Sequence, residues 1–433
     1  MRYNKIPTIL FRKNREKLAR VMKKNAVAVL NANDEMPRNG DQYFPYRQNS
    51  SFFYLTGIEQ EKSLLLLYPD NPDEDQREIL FILKPDKKME TWNGHKLTPG
   101  EVTSISGIKT VKYLDAFDDI FKEMLQCSQN IYVNLGEDMK IAPEIDSRDK
   151  RFFQKTKSMY PLHNYLGLSD MLTRVRLEKE SEEIDLIKKA IEITGKAFHK
   201  VLSLLRPGLV EYEVEAEITA EFTRNGASGH AYAPIVASGE NACILHYTAN
   251  NKICKDGDLL LLDFGAEYAN YAADCSRTLP VNGEFSARQR ELYKIVLDVF
   301  YHARDMLLPG TNIHAINEKL KRIWEKEHVK IGLYQKQDIE EAGGENLSQQ
   351  YSLHGASHFI GLDVHDTGNK NKVLKPGMVL SCEPGLYIEN EQVGIRLEND
   401  ILIGADKPVD LMRSIPIRPE EIEYLMKQGA KNI

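Results

Sequence analysis

The chain has 433 residues, above the roughly 250–300 at which a single hydrophobic core stops growing, so two domains are expected. Charged residues make up 28% and hydrophobic ones 42%, a globular balance that argues against disorder. The 57 Lys and Arg against 64 Asp and Glu give a net charge of −7, which leaves no basic excess to neutralise nucleic acid. The longest apolar runs, such as Leu64 to Tyr68 and Leu259 to Leu262, fall far short of the roughly 20 residues that span a bilayer, so no membrane helix is expected.

The opening segment MRYNKIPTILFRKNREKLAR reaches Arg12, Lys13 and Arg15 before any apolar stretch forms. No cleaved secretion signal is read there, and a cytoplasmic location is the default expectation. Cys127, Cys243, Cys254, Cys275 and Cys382 are widely spaced and form no CxxC pair, which predicts reduced, mostly buried thiols.

From Ala26 to about Leu135, β-type runs at Ala26 to Leu30, Ser63 to Tyr68, Glu78 to Leu83 and Asn130 to Leu135 alternate with charged stretches. They predict a mixed α/β amino-terminal domain, with PDNPDEDQR at 69–77 as an exposed loop. A long amphipathic helix follows: Ile184, Ile187, Ile191, Phe198, Leu202 and Leu205 recur at helical spacing from Ser181, which can cap it, to the stop at Arg206-Pro207-Gly208. The domain boundary is placed just before it, giving domains 1–172 and 173–433. Further helices are predicted from Glu211 to Thr223 and from Ala287 to Met306, so the second domain is α+β.

An internal repeat carries the chemistry. KDGDLLLLDFGAEY from Lys255 and KPGMVLSCEPGLYI from Lys375 align so that Asp263 matches Glu383 and Gly265 matches Gly385. Each copy is a turn, an apolar strand and a carboxylate just before a glycine. A carboxylate on a buried strand needs a partner or a metal. Downstream, a hairpin turning near Ala269-Asn270 would return Asp274 beside Asp263, and a second would return Arg396 and Glu398 on one strand face. Four converging acids suit one or two cations; four unrelated surface acids are the alternative. HGASHFIGLDVHD adds His354, His358 and His365 within twelve residues, and beside the acids they favour a site over structural histidines. His246, in ILHYTANN after a turn-rich segment, reads by itself as a loop histidine.

The contexts LLLDFG, AADCSRT, HGASH, CEPGLY and GIRLEND resemble the ligand pattern of the pita-bread metallopeptidases, and most closely the aminopeptidase P (Xaa-Pro aminopeptidase) group. The resemblance covers nearly the whole chain, since YFPYRQNSSFFYLTG at Tyr43 to Gly57 resembles that group's amino-terminal domain. It implies a pseudo-twofold pita-bread catalytic domain and two divalent ions per chain. Asp263 would bind one ion, His358 and Glu383 the other, and Asp274 and Glu398 would bridge them. His246, His354 and His365 would surround the substrate, and Arg396 would hold the carboxylates. Trp92 resembles a tryptophan that some members lend to a neighbouring subunit's pocket, although a local packing role reads almost as well.

The implied reaction is hydrolysis of the bond before a proline at the second position of a peptide, with Glu383 relaying the proton. The partner is then that peptide, and the active form a homo-oligomer, a dimer or tetramer. One imidazole among four carboxylates favours manganese or a similarly hard ion. The alternatives are prolidase, which takes dipeptides, and a non-catalytic peptide-binding module. The stretch between Glu383 and Arg396 is shorter than in some aminopeptidases P, which touches the loop side of the pocket rather than the metals.

Overall fold

The computed structural model describes residues 3–136, 144–341 and 347–429. Two compact units divide at Arg176/Leu177.

The first unit is built on a six-stranded sheet whose strands are β1 (Ala26–Asn31), β2 (Leu64–Leu67), β3 (Glu78–Ile82), β4 (Thr110–Tyr113), β5 (Asn130–Val133) and β6 (Asn164–Gly167). Their spatial order is β4-β3-β2-β1-β5-β6. β1 and β3 each lie antiparallel to β2, and the remaining pairs are parallel. Alternate residues Val27 and Val29, Leu64 and Leu66, Ile79 and Phe81, and Ile131 and Val133 share one core with Phe117 and Phe121 of the helix Phe117–Cys127. Each fully buried side chain of this kind contributes about 1.5–3 kcal/mol of transfer free energy.

The NSSFFYLTG stretch folds as the helix Ser50–Thr56 for local reasons. Asn49 caps it by accepting from the N–H groups of Ser51 and Phe52, and Gly57 ends it at φ +68°. A Cβ at Gly57 would lie 2.3 Å from the Phe11 ring, so no other residue fits there. The predicted loop at 69–77 contains one 3₁₀ turn, Glu74–Gln76.

The second unit opens with α1 (Ser181–Leu204) and α2 (Glu211–Arg224) and also carries α3 (Ala287–Asp305) and α4 (Ile313–Lys330). Ser181 does not cap α1. Glu180 is the N-cap residue, and its N–H donates to the Glu183 carboxylate at 2.8 Å.

The repeat appears as two related strand systems. In the first, β7 (Ile235–Ser238), β8 (Leu259–Phe264) and β11 (Cys275–Pro280) form an antiparallel sheet with β8 in the middle. The hairpin of β9 (Ala266–Tyr268) and β10 (Tyr271–Ala272) projects from it, turning at Ala269 and Asn270, both with positive φ. In the second system, β12 (Val379–Cys382) pairs with β15 (Asn399–Ile403), β16 (Pro408–Asp410) adds to β15, and β13 (Gly385–Ile388) with β14 (Val393–Arg396) forms the hairpin. In both copies a strand leaves the sheet, turns back as a hairpin and re-enters. Asp274 and Glu398 are the last residues before re-entry.

The expectation that Arg396 and Glu398 share one strand face is therefore corrected. β14 ends at Arg396 against β13, and β15 begins at Asn399 against β12, so the chain changes sheets between them. Among the cysteines, Cys254, Cys275 and Cys382 are buried, Cys243 is half-buried and Cys127 is exposed; all five are free thiols. Among the described residues no helix is long and apolar enough to cross a membrane.

Candidate metal centre and active site

Asp263 is the penultimate residue of β8, opposite Ile235 on one side and Ser276 on the other. Gly265 follows because the chain crosses itself here: a Cβ would lie 1.7 Å from the Ala273 carbonyl oxygen. That crossing brings Asp274 back to Asp263, and one hydroxyl, Tyr232, reaches both, at 2.6 Å from Asp263 Oδ1 and 2.5 Å from Asp274 Oδ1.

From the second copy come Glu383 and Glu398. His358 Nε2 lies 3.3 Å from Asp274 Oδ2 and 3.3 Å from Glu383 Oε1, and so joins the two halves of the repeat. Asp274, His358 and Glu398 offer ligand atoms that all lie within 4.8 Å of one another. Ser276 Oγ accepts from Arg396 Nε at 3.0 Å, so its single proton goes to Glu398 Oε2 at 2.7 Å. Glu398 Oε1 is buried without a hydrogen-bond partner among the described residues, as a metal-ligand oxygen should be.

Arg396 continues the network. It donates to Asp263 Oδ2 at 2.6 Å and to the Tyr387 hydroxyl at 2.7 Å, and that hydroxyl lies 2.7 Å from His354 Nε2. Arginine only donates, so Tyr387 accepts from it; the Gly355 carbonyl beside Nδ1 only accepts, so in a neutral ring Nε2 is bare and the Tyr387 hydroxyl donates to it. The other ring nitrogen, Nδ1, then carries the hydrogen and faces the Gly355 carbonyl at 2.9 Å and Glu383 Oε2 at 3.6 Å. Burial lowers the His354 pKa, in keeping with a neutral ring.

The acids show the opposite strain. Burial first, and neighbouring carboxylates second, raise the pKa of Glu398. Asp274 is raised by burial and by Asp263, against the lowering pull of His358. For His358, burial alone would lower the pKa, but Asp274 and Glu383 override it and hold the imidazolium to about 9. A proton on His358 thus occupies the place of a positive charge between the two acids.

Of the other residues singled out in the sequence, His365 stacks edge-on against His358 with ring centres 4.4 Å apart. His246 is exposed, just beyond the 3₁₀ turn Gly239–Cys243. Trp92 is 85% exposed and lies in the last turn of the helix Lys87–Asn93; the predicted turn begins only at Gly94, with φ +79°. The short stretch after Glu383 closes as the β13–β14 hairpin, whose tip Glu391 is gripped by Arg288 at 2.7 and 2.9 Å.

Four contributors escaped the sequence reading: Tyr232, Ser276, Tyr387 and Asp400. The last is fully buried, accepts from the Asp274 N–H at 3.2 Å and keeps Oδ1 without a partner among the described residues. Asp400 stands in the quoted GIRLEND context, and its two-residue spacing from Glu398 was the one available signal.

The model of metallopeptidase family M24 matches residues 185–405, and that of the aminopeptidase P amino-terminal domain matches residues 11–132. The chain belongs to the aminopeptidase P group of family M24. Xaa-Pro aminopeptidase of Escherichia coli K12 is 35% identical, covering 97% of this chain and 98% of that protein. Human Xaa-Pro aminopeptidase 3 is 28% identical over 90% of this chain and 79% of its own. Among solved structures, E. coli aminopeptidase P with the inhibitor Pro-Leu superposes with a TM-score of 0.89 at 34% identity, covering 99% of this chain and 100% of that one. Pseudomonas aeruginosa aminopeptidase PepP gives 0.90 at 32% identity, with 99% of each chain covered. The two family matches and the curated Xaa-Pro aminopeptidase relatives make this chain a metallo-aminopeptidase.

Proposed function

We propose that the protein removes the residue preceding proline from the amino-terminus of peptides whose second residue is proline. The observation that carries this reading is the convergence of Asp274, His358 and Glu398 beside the His354–Tyr387–Arg396–Asp263 chain. A similar E. coli enzyme has been solved with Pro-Leu bound. Proline lacks an N–H and fixes φ, so a peptidase that grips an extended backbone through that N–H fails on it, and a dedicated site is needed.

The residues fit a dinuclear centre of divalent ions, held by Asp263, Asp274, His358, Glu383 and Glu398. The orphaned Glu398 Oε1 supports this, and so does charge. Arg396 and two divalent ions together supply enough positive charge to balance the clustered carboxylates in their ionised form with His358 neutral. Four carboxylates to one imidazole favour manganese, although zinc has been substituted into the E. coli relative. Such ions supply a Lewis acid and lower the pKa of attacking water.

Glu383 is the proton acceptor, since its carboxylate faces both His358 and His354 Nδ1. His354 and His365 act on the scissile carbonyl. His246 contacts the substrate beyond proline. A cytoplasmic homo-oligomer, in which Trp92 closes a neighbour's proline pocket, completes the reading. Assays of Xaa-Pro-Xaa tripeptides beside Xaa-Pro dipeptides test it. Preferential tripeptide cleavage is expected, whereas cleavage of dipeptides alone would make the protein a prolidase.

A further inference from the structure

Glu211, the first residue of α2, is fully buried in the catalytic unit, and its side-chain hydrogen-bond partners among the described residues lie outside the metal site. Its carboxylate gathers five donors. Oε1 accepts from the Ser238 N–H at 2.8 Å, Ser238 Oγ at 2.7 Å and Asn241 Nδ2 at 3.2 Å. Oε2 accepts from the Tyr247 hydroxyl at 2.8 Å and the Lys252 N–H at 2.9 Å. The Glu211 N–H in turn donates to the Lys252 carbonyl at 2.9 Å. All these partners lie in one segment, 238–252, which contains His246. One carboxylate therefore ties both ends and the middle of that segment to the start of a helix.

Two further observations show that the segment is built to hold one conformation. One turn along α2, Glu215 accepts from Asn250 Nδ2 at 2.8 Å, and Asn250 Oδ1 accepts from the Val236 N–H at 3.0 Å. β14 also approaches so closely that a Cβ at Gly394 would lie 2.2 Å from the Ala242 carbonyl oxygen. The inner face, with Tyr247 and Ala242, shares a core with Ile235, Leu261 and Tyr387, and Tyr387 is the residue that touches His354 and Arg396.

We propose that Glu211 is a positioning residue: it fixes the 238–252 segment so that His246 is held in place for substrate before substrate arrives. This rests on the reading of His246 as a substrate contact. Only a carboxylate meets the demand, because an amide would turn an NH₂ group towards either the Ser238 or the Lys252 backbone N–H, and neither can reverse its polarity. Hydrogen bonds to such a group matter more than neutral ones, and leaving a buried donor unmet matters most.

The test compares Glu211→Gln and Tyr247→Phe with the parent, by amide hydrogen exchange in metal-free protein and by kinetics with an Xaa-Pro tripeptide. Glu211→Gln should speed exchange at Ser238 and Lys252 by about tenfold or more, with β8 amides at Leu260 to Leu262 unchanged. Metal content should be retained, and KM should rise about tenfold while kcat changes by less than about threefold. Tyr247→Phe, which removes one donor and adds no conflict, should shift exchange and KM in the same direction by a smaller factor, and it decides the matter if the glutamine variant does not fold. Unchanged exchange in the segment, or a fall in kcat with loss of metal, overturns the proposal. The exchange arm stands even if the protein cleaves no proline peptide: segment loosening with an unaltered KM for whatever peptide it does cleave would sink the role of His246 and leave the clamp.

Discussion

Tyr232 and Asp274, 42 residues apart in sequence, meet at 2.5 Å, and the same hydroxyl lies 2.6 Å from Asp263. A phenol has one proton and so donates to only one of these carboxylates. The second contact needs a proton on the other acid, and burial, which raises Asp274 to about 6, favours one there. Tyr232 therefore keeps two ligands in register when no ion is bound and, once the proton leaves, donates to one of them. Tyr232→Phe should weaken divalent-ion affinity about 10- to 100-fold with the fold intact, as outer-shell partners of metal ligands do. Equilibrium dialysis with manganese, alongside circular dichroism, measures this; unchanged affinity would show the tyrosine to be a bystander.

Asp274→Asn and Glu398→Gln should each abolish metal retention and activity, because an amide brings no charge to a centre that depends on charge balance. His358→Ala should lose metal and activity together. His354→Ala and His365→Ala should behave differently, with metal kept and kcat lower by roughly 10² to 10⁴. Tyr387→Phe should follow His354→Ala in kind but less steeply, since it frees the ring without removing it. Metal analysis of each purified variant separates the two groups, and loss of metal from His354→Ala would move that residue into the ligand set.

Metal affinity should climb with pH. Binding must displace the proton from His358, whose pKa is held to about 9, and from the raised carboxyls of Asp274 and Glu398. Protons compete with the ion, so log K should rise by at least about one unit per pH unit up to about 9. For the metal-free fold the sign is reversed. The His358 imidazolium is favoured by folding, so its contribution is complete below the ordinary value of 6.5 and is lost as pH rises through about 9. Thermal unfolding of metal-free protein at pH 6 and 9 checks this against His358→Gln, which should flatten the difference.

How far the site was legible follows from where its residues stand. Asp263 and Glu383 could be found because a carboxylate at the end of an apolar run is chemically unusual, and because the pattern recurs 120 residues on (263 to 383). Asp274 and Glu398 followed from hairpin geometry. Tyr232, in AYAP, carried no such signal, since the two carboxylates it reaches are 31 and 42 residues away and nothing local marks the hydroxyl as a partner of acids. Ser276 meets Glu398 and Arg396 across 122 and 120 residues. Periodicity correctly located α1 to α3, because their buried faces repeat within the helix itself. It failed at Arg396 and Glu398, where a strand pattern of period two runs unbroken through a change of sheet.

Trp92 offers the last and most exposed prediction. A large indole left 85% open to solvent at a helix end gains nothing from burial in its own subunit, whereas a flat aromatic face suits a proline ring and aromatic residues concentrate at subunit interfaces. Trp92→Ala should then raise KM for proline peptides without altering metal content. Mixing it with Asp274→Asn should restore part of the activity, because a hybrid assembly can pair an intact metal centre with an intact tryptophan from the neighbouring chain. Sedimentation of the parent gives the oligomeric state in the same experiment. An active monomer, or no restoration when the two variants demonstrably exchange subunits, would return Trp92 to the role of a surface residue with no part in catalysis.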